Sequence, residues 1–189
     1  MSRDENWEKA VAFHGHSCPG LAIGFRACEA AMEKMGIGSS RDEEIVCITE
    51  NDACGVDAIQ ALLSCTLGKG NLLYHGAGKQ AFSFLNRKNG DKLRVYLKMQ
   101  KKEGISRQEW QKQLLDAPLE DVFVFSKPQY NMPEKARKFP SECCEICGEL
   151  AAEHKIRLQE GKKVCLDCWA VSYTHLVYRI IYWQKWIVL

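Results

Sequence analysis

The sequence contains no run of apolar residues long enough to cross a lipid bilayer, although 46% of its 189 residues are hydrophobic. It also carries no strong charge of either sign, because 26 basic and 24 acidic residues leave a net charge of +2. A field this weak attracts neither nucleic acid nor an anionic membrane surface. No signal peptide is recognisable in the polar stretch MSRDENWEKA, and no internal repeat or low-complexity tract is visible. These absences predict a cytoplasmic protein without membrane contact and disfavour nucleic acid as a partner.

Cysteine, in contrast, is abundant, because the chain contains 10 of these residues. The cytosol keeps thiols reduced, so clustered cysteines in a cytosolic chain more often bind metal or carry out chemistry than form disulfides. Five cysteines are spread over the first third of the sequence, and five are crowded near its end. The two groups differ in spacing and predict different sites.

The C-terminal group has the spacing of a four-cysteine zinc site. Two CxxC pairs are separated by 17 residues, and the predicted ligands are Cys144, Cys147, Cys165 and Cys168. Each pair directs two thiolates at one point, and two pairs complete a tetrahedron around Zn²⁺. A module of about 30 residues cannot bury enough core by itself, so metal binding, worth roughly 10–16 kcal/mol, replaces the core. The spacing therefore predicts a structural Zn²⁺ in a small zinc-ribbon or treble-clef module.

Other residues of this module refine the prediction. Glu160 and Gly161 lie between the two pairs and predict the turn of a small hairpin, and a short helix is expected from Leu166 onward. Cys143 is excluded as a ligand, because it would change the first spacing to the less usual CxxxC. Between residues 141 and 169, four basic residues are outnumbered by six acidic ones. This balance favours structural support or contact with a protein over binding of nucleic acid.

The stretch FHGHSCPG, residues 13–20, contains two imidazoles and a thiol within five residues. Cys18 precedes Pro19 at one predicted helix start, and Cys54 lies at a second. Helix N-termini carry partial positive charge and lower the pKa of a thiol, so both cysteines are placed to become thiolates. We therefore expect His16, Cys18 and Cys54 to converge on one transition metal ion, either Zn, Fe or Ni. Three protein ligands would leave a coordination position open for water or substrate.

Further residues have candidate roles at this site. His14 is an additional candidate ligand or proton carrier, so the catalytic candidates are His14, Cys18 and Cys54. Lys69, in a glycine-containing loop, is a candidate for binding an anionic group of a cofactor, although the same loop equally fits a plain connection. An alternative is a thiol enzyme in which Cys18 is the nucleophile and a histidine is the base.

Structural roles compete with these chemical ones. His14 equally fits the end of its helix, where a cation is favourable. Asp52 and Asp57 equally fit helix caps, and the pattern around Cys54 leaves ligand and non-ligand roles evenly balanced. The remaining N-terminal cysteines are expected in the apolar core: Cys28, Cys47 and Cys65.

Helices and hairpins alternate without a regular strand–helix–strand period, which predicts the α+β class, with helices packed on a mixed or antiparallel sheet. Periodicity and capping residues predict helices at residues 4–13, 19–36, after 51–52, and 106–115. Strands are expected at residues 44–50 and 121–125, with a hairpin at 82–97. The predicted divisions are a core domain at 1–126, a linker at 127–141, a zinc finger at 142–170 and a tail at 171–189.

The last segment, VSYTHLVYRIIYWQKWIVL, differs from the rest of the chain. It contains two of the five tryptophans and three of the six tyrosines, but no Asp, Glu, Gly or Pro. Its hexapeptide VSYTHL resembles the translation of a transposon adapter end, so we interpret residues 171–189 as a non-native readthrough tail. The alternative is a genuine amphipathic tail or partner helix, and the gene in intact genomic DNA distinguishes the two.

Three longer motifs extend these observations along the chain. FHGHSCPGLAIGFRA, ENDACGVDAIQALLSCTLGKGNL and GKQAF occur in this order, followed by the four-cysteine module. Over residues 7–170 the chain resembles the FmdE family of formylmethanofuran dehydrogenase proteins, with a C-terminal treble-clef, TraR-like zinc finger. The resemblance implies an α+β core, a linker, a homodimer and a metal near the His/Cys motif. The functional positions that it implies are His16, Cys18 and Cys54, with His14, Asp52, Asp57, Gln60 and Lys69 nearby.

The family name implies a link to the molybdenum or tungsten enzyme that reduces CO₂ onto methanofuran. No molybdopterin-binding apparatus or ferredoxin-type cluster motif is visible in this sequence, so the chain cannot run that two-electron reaction by itself. The leading hypothesis is an accessory subunit or small metalloprotein of this C1 metabolism, with partner oxidoreductase subunits. If the chain is itself an enzyme, the resemblance implies an oxidoreductase-related activity. The alternative hypothesis is a zinc-finger regulator or adaptor whose core dimerises or senses a ligand.

Overall fold

Five α-helices and nine β-strands occur in the part of the chain that the structure, a computed structural model, describes: residues 2–169. The helices are α1 Arg3–His14, α2 Pro19–Met35, α3 Gly55–Leu63, α4 Arg107–Asp116 and α5 Leu119–Val122. The strands of the first unit are β1 Ile45–Thr49, β2 Leu72–Tyr74, β3 Ala81–Asn86, β4 Lys92–Leu97 and β5 Phe123–Ser126. This first unit ends at Ala136, and a second unit begins at Arg137.

The local sequence explains where the first two helices begin and end. In α1, Ser2 and Glu5 exchange hydrogen bonds as a capping box, and Gly15 ends the helix with a φ of 90°. In α2, Pro19 occupies the first turn, where its missing N–H has no partner to lose, and Gly36 ends the helix with a φ of 61°. The short turn between the two helices holds the histidine and cysteine motif.

The sheet of the first unit has the strand order β2-β1-β3-β4-β5. Strand β1 pairs with β2 in parallel, and all other neighbouring strands pair antiparallel. The predicted hairpin is confirmed as β3 and β4, with Gly90 in the turn at a φ of 78°. Strand β2 was not predicted, because its three residues are too few to show a period.

Alternating residues of the strands divide the apolar side chains between the two faces of the sheet. Cys47 of β1, Phe84 of β3 and Val95 of β4 belong to the large core that includes side chains of helices α1 to α4. Val46 and Ile48 belong to a separate, smaller apolar cluster. Because side chains alternate along a strand, the residues between the core positions lie on the face opposite the helices.

The segment after β5 covers part of that opposite face. Tyr130 and Met132 pack against the smaller cluster. The Arg87 guanidinium donates hydrogen bonds to the carbonyls of Pro133 at 2.6 Å and Glu134 at 3.0 Å, which ties the segment to the sheet. The division between the two units, after Ala136, therefore falls within the stretch 127–141 that was predicted as a linker.

The second unit consists of two small hairpins. Its strands are β6 Ser141–Cys143, β7 Leu150–Ala152, β8 Arg157–Gln159 and β9 Lys162–Val164, and a 3₁₀ turn lies at Glu153–Lys155. The predicted turn is confirmed: Glu160 and Gly161 join β8 to β9, both with positive φ. Of the helix predicted from Leu166, only the first few residues are described, and the proposed tail at 171–189 lies outside the described residues.

The α+β class with helices on a mixed sheet, followed by a small cysteine module, is confirmed. Ser106 starts α4 with a second capping box, as its position before the helix predicts. Among residues 2–169, no helix is long and apolar enough to cross a membrane.

Candidate functional site

Two helix starts are brought together by glycines at the contact between α2 and α3. A Cβ atom on Gly20 of α2 would lie 3.1 Å from Cβ of Cys54, 3.5 Å from its Sγ and 3.9 Å from Sγ of Cys18. The two sulfurs therefore lie on either side of the space that a side chain at Gly20 would occupy. Gly24, one turn further along α2, contacts the backbone of Gly55. Residues without side chains let the two backbones approach closely, and this approach places Cys18 beside Cys54.

Cys18 is the N-cap of α2, and its thiol is only 1% exposed. Its Sγ accepts a hydrogen bond from the Leu21 N–H at 3.3 Å. Burial alone would raise the pKa of this thiol, but the hydrogen bonds from Leu21, His14 and Cys54 outweigh burial and hold the pKa below its ordinary value. Cys18 is therefore prepared to act as a thiolate, which is the form that binds metal.

His14 connects Cys18 to a carboxylate on α3. Its Nδ1 lies 2.7 Å from Oδ2 of Asp57, and its Nε2 lies 3.7 Å from Sγ of Cys18. The hydrogen bond to Asp57 raises the pKa of His14. Gln60 donates to the other oxygen of Asp57 at 3.2 Å, so the carboxylate is held from two sides. A histidine whose outer nitrogen donates to a carboxylate has its other nitrogen oriented for a ligand.

Three donor groups form a cluster with the spacing that a metal ion requires. The donor atoms of His14, His16 and Cys18 all lie within 4.8 Å of one another. The rings of the two histidines lie 4.5 Å apart between centroids, and His16 is exposed while His14 is partly buried. One imidazole or thiolate from each residue, at bond lengths of about 2.0–2.3 Å, fits the preference of zinc and its neighbours for mixed N/S ligands.

The predicted set of His16, Cys18 and Cys54 differs from this cluster by one member. Within residues 2–169, the group of three contains His14 in place of Cys54. Cys54 still contacts the cluster through its hydrogen bond with Cys18. Burial, together with the neighbouring Cys18, raises the pKa of Cys54. Its backbone is helical and its side chain caps no N–H, so the thiol is not engaged by α3.

Lys69, the candidate for an anionic cofactor group, lies at the other end of β1. Its Nζ donates to the carbonyls of Ser40 at 2.9 Å and Asp42 at 3.1 Å, which precede β1. Cys54 follows the opposite end of the same strand. The structure thus brings Lys69 together with a backbone turn and not with the His/Cys cluster, and a role in binding a cofactor stays a prediction.

The other cysteines of the first unit behave as core residues, as predicted. All three are fully buried, and burial raises the pKa of each thiol: Cys28, Cys47 and Cys65. For Cys65 the pKa rises to about 12, and its thiol donates to the Ile45 carbonyl at 3.5 Å. These thiols stay protonated at neutral pH, in contrast to Cys18.

The second unit forms the predicted four-cysteine cluster. Its four Sγ atoms all lie within 4.8 Å of one another: Cys144, Cys147, Cys165 and Cys168. Backbone N–H groups, first that of Cys147 and then that of Cys165, lower the pKa of Cys144 to about 6. Four thiols this close repel one another when ionised, so a tetrahedral cation is the group that fits the donor set. Zn²⁺ is the structural ion that such a site supports.

Cys143 is separate from this cluster. It is exposed, and its thiol donates to the Gly148 carbonyl at 3.4 Å. Its exclusion from the ligand set agrees with the spacing of the motif.

Together, these features define a class: an α+β protein with a His/Cys cluster at paired helix starts and a four-cysteine zinc finger. Residues 13–124 match the family described as FmdE, molybdenum formylmethanofuran dehydrogenase operon. The chain belongs to the FmdE family. Residues 137–173 match a second family, described as prokaryotic dksA/traR C4-type zinc finger.

Two relatives with names extend the comparison. A solved structure of an FmdE-like protein of tungsten formylmethanofuran dehydrogenase, from Syntrophus aciditrophicus, has a TM-score of 0.66 and 26% identity, covering 89% of this chain and 92% of that one. A probable S-adenosyl-L-methionine-binding protein from Archaeoglobus fulgidus is 32% identical over 203 residues. That alignment covers 90% of this chain but 54% of the relative, so the chain spans about half the length of that protein.

Two features of the site escaped the sequence analysis. Asp57 fits a helix cap equally well, and only the fold places its carboxylate against His14. The close contact of Gly24 with Gly55 was also missed. Its signal was present, because Gly20 and Gly24 lie four residues apart on one face of a helix, the spacing at which small residues admit a neighbouring backbone.

Proposed function

We propose that this protein is a metalloprotein of formylmethanofuran dehydrogenase-type C1 metabolism, acting as an accessory subunit or as a small metalloprotein. Its functional ion is held in the first unit by His14, His16 and Cys18, with Cys54 as the adjacent fourth donor. The zinc finger of the second unit is structural. The observation that carries this proposal is the convergence of the donor atoms of His14, His16 and Cys18 within 4.8 Å of one another.

The surroundings of the cluster support a reactive role over a purely structural one. A transition ion bound there would supply a Lewis acid with a position available to water or substrate. His16 is exposed, so the cluster is accessible from solvent on that side. The other side is rigid, because Cys18 is buried at a helix N-cap and His14 is fixed by Asp57. His14 carries a proton at Nδ1 toward Asp57 and can hold or pass a proton at the site.

The link to C1 metabolism is supported by the family and by the solved relative, both of which carry the name of formylmethanofuran dehydrogenase. The proposal includes a homodimer or partner oxidoreductase subunits, in keeping with an accessory role, in the cytoplasm. Light scattering during size-exclusion chromatography tests the first of these, since a homodimer elutes with twice the chain mass.

Metal counting tests the metal site directly. We expect two metal ions per chain by elemental analysis of protein purified without chelators. Cys18→Ser should retain one ion, and the matched variant Cys28→Ser, which changes a core thiol outside the cluster, should retain both. One ion per chain in the unaltered protein, or two ions in Cys18→Ser, would contradict the proposal.

A second candidate function is an adaptor or regulator. It is favoured by the match of residues 137–173 to a dksA/traR C4-type zinc finger. In that case the second unit contacts a protein partner, because its excess of acidic residues disfavours nucleic acid. An adaptor requires only the zinc of the finger. A single ion per chain, lost in Cys147→Ser and retained in Cys18→Ser, would support this function over the first.

A further inference from the structure

A cavity of about 550 Å³ lies in the first unit at the end of β1. Its lining includes Glu50 and Arg94. Glu50 continues the alternation of Val46 and Ile48, which form the apolar cluster opposite the helices. Arg94 alternates with the core residue Val95. The cavity therefore opens on the sheet face opposite the helices, whereas the His/Cys cluster lies on the helices themselves.

The charges that line the cavity do not balance. The Glu50 carboxylate is 3% exposed and accepts hydrogen bonds from Arg94 Nε at 2.6 Å and Nη2 at 2.8 Å. These two residues neutralise each other. Lys79 and Lys127 also line the cavity, and neither side chain has a hydrogen bond or ion pair with any residue between 2 and 169. Because the whole chain has a net charge of only +2, this local excess of two cations is not a consequence of general basicity.

Further groups complete the lining. The rings of His75 and Tyr130 meet edge to face, with centroids 5.4 Å apart, and both residues line the cavity. Arg94 uses Nε and Nη2 for Glu50, and its Nη1 donates to no acceptor among the described residues. The cavity thus offers one guanidinium nitrogen, two ammonium groups and an aromatic wall. Its volume lies within the range of about 300–1,000 Å³ that is typical of small-molecule sites.

We propose that this cavity binds a small molecule through an oxyanion group, either a phosphate or a carboxylate, with Lys79 and Lys127 as the ion-pairing residues. Arg94, held in place by Glu50, presents its remaining N–H groups to the same oxyanion, in the planar geometry that suits carboxylate and phosphate. The proposal does not rest on the metal site, which uses other residues on other elements.

The test is a titration of the full-length protein with inorganic phosphate and, separately, with succinate, followed by calorimetry in about 150 mM NaCl, where exposed charges are screened beyond roughly 8 Å. At least one of these probes should bind saturably, and the arm that binds more tightly distinguishes a phosphate site from a carboxylate site. The double variant Lys79→Gln/Lys127→Gln should weaken that binding by about tenfold or more. The matched double variant Lys9→Gln/Lys101→Gln removes the same charge from exposed positions and should stay within about twofold.

Three outcomes would overturn the proposal. Neither probe binds saturably, which means that the lysines are only solvated. Both double variants lose affinity equally, which means that binding reflects net charge alone. Binding disappears in Cys18→Ser, which means that the anion occupies the metal site. Since the Lys79 and Lys127 side chains are exposed and form no hydrogen bond or ion pair within residues 2–169, loss of folding is not expected in the test variant.

Discussion

Gly24 of α2 lies so close to Gly55 at the start of α3 that a Cβ atom on Gly24 would fall 2.0 Å from the Gly55 carbonyl oxygen. Gly55 follows Cys54 directly, and Gly24 lies on the same helix as Cys18. The distance between the two sulfurs is therefore set by a contact between backbones. The His/Cys cluster depends on this contact as much as on the ligands themselves.

Replacing Gly24 with alanine should therefore separate the two helix starts. No real Cβ atom approaches a carbonyl oxygen to 2.0 Å, and the obstacle is backbone that no rotamer change can move. We expect a loss of about 1–3 kcal/mol in the free energy of unfolding, the usual cost of overpacking, together with loss of the ion from the first unit. Denaturant unfolding and elemental analysis measure the two effects.

Gly38→Ala is the matched control for this variant. A Cβ on Gly38 meets no atom within 4 Å, and its φ is not in the left-handed region. Stability should change by less than about 0.5 kcal/mol, with metal content unchanged. If Gly24→Ala is as stable and as metal-rich as this control, the contact does not position the site.

Several elements of the fold follow directly from local sequence. Ser2 and Ser106 each precede a glutamate by three residues, and both form capping boxes. The CxxC pairs predict their own cluster, because a tetrahedral ion accepts few other spacings. These features depend on residues close together in the chain, where spacing determines geometry.

Other features depend on residues that only the fold brings together. Asp57 reaches His14 across 43 positions of sequence, and no period or cap distinguishes this partner from Asp52. The replacement of Cys54 by His14 in the tightest donor group has the same origin. Both residues are near Cys18, and the choice between them depends on side-chain directions at the contact of two helices.

Asp57→Asn should weaken metal binding in the first unit without removing a ligand. The Asp57 carboxylate fixes the orientation of His14 and increases the basicity of its Nε2, and an amide does this poorly. Loss of such an orienting partner typically costs about 10- to 100-fold in metal affinity. Competition with a chromogenic chelator measures the affinity, while the zinc of the second unit serves as an internal reference.

Asp52→Asn removes the same charge from an exposed neighbour of the site. It should leave the metal affinity within about twofold of the original value, because an exposed charge is screened by solvent. Equal losses in the two variants would mean that net charge near the cluster, and not the contact with His14, governs affinity.

The buried pair of Glu50 and Arg94 predicts a pH dependence of stability. Hydrogen bonds from the Arg94 guanidinium hold the pKa of the Glu50 carboxyl below its ordinary value. The unfolded chain therefore binds this proton more readily than the folded one, so the pair stabilises the fold above the unfolded pKa of about 4.3. This contribution is lost as the pH falls through the lower, folded pKa.

Glu50→Gln should accordingly be destabilised most at neutral pH, and the difference from the original protein should shrink below about pH 4.3. Denaturant unfolding between pH 7 and pH 3 measures this difference. Glu8→Gln, at an exposed position without an ion pair in residues 2–169, should follow the original protein throughout. A gap between Glu50→Gln and the original protein that is constant with pH would show that the carboxylate charge is not the source of the stability.

Neighbouring cysteines of the second unit should respond oppositely to substitution. Cys147 belongs to the cluster of four sulfurs, whereas the thiol of Cys143 donates to a backbone carbonyl outside it. Cys147→Ser should abolish stable zinc binding in this unit, and with it the roughly 10–16 kcal/mol that a structural zinc contributes to such a module. Cys143→Ser should retain the ion and resist chelator as well as the original protein does. Zinc release, followed with a metal-sensitive dye during treatment with EDTA, separates the two. Release at equal rates from both variants would mean that Cys143 can substitute for Cys147, and the first turn would then tolerate two spacings.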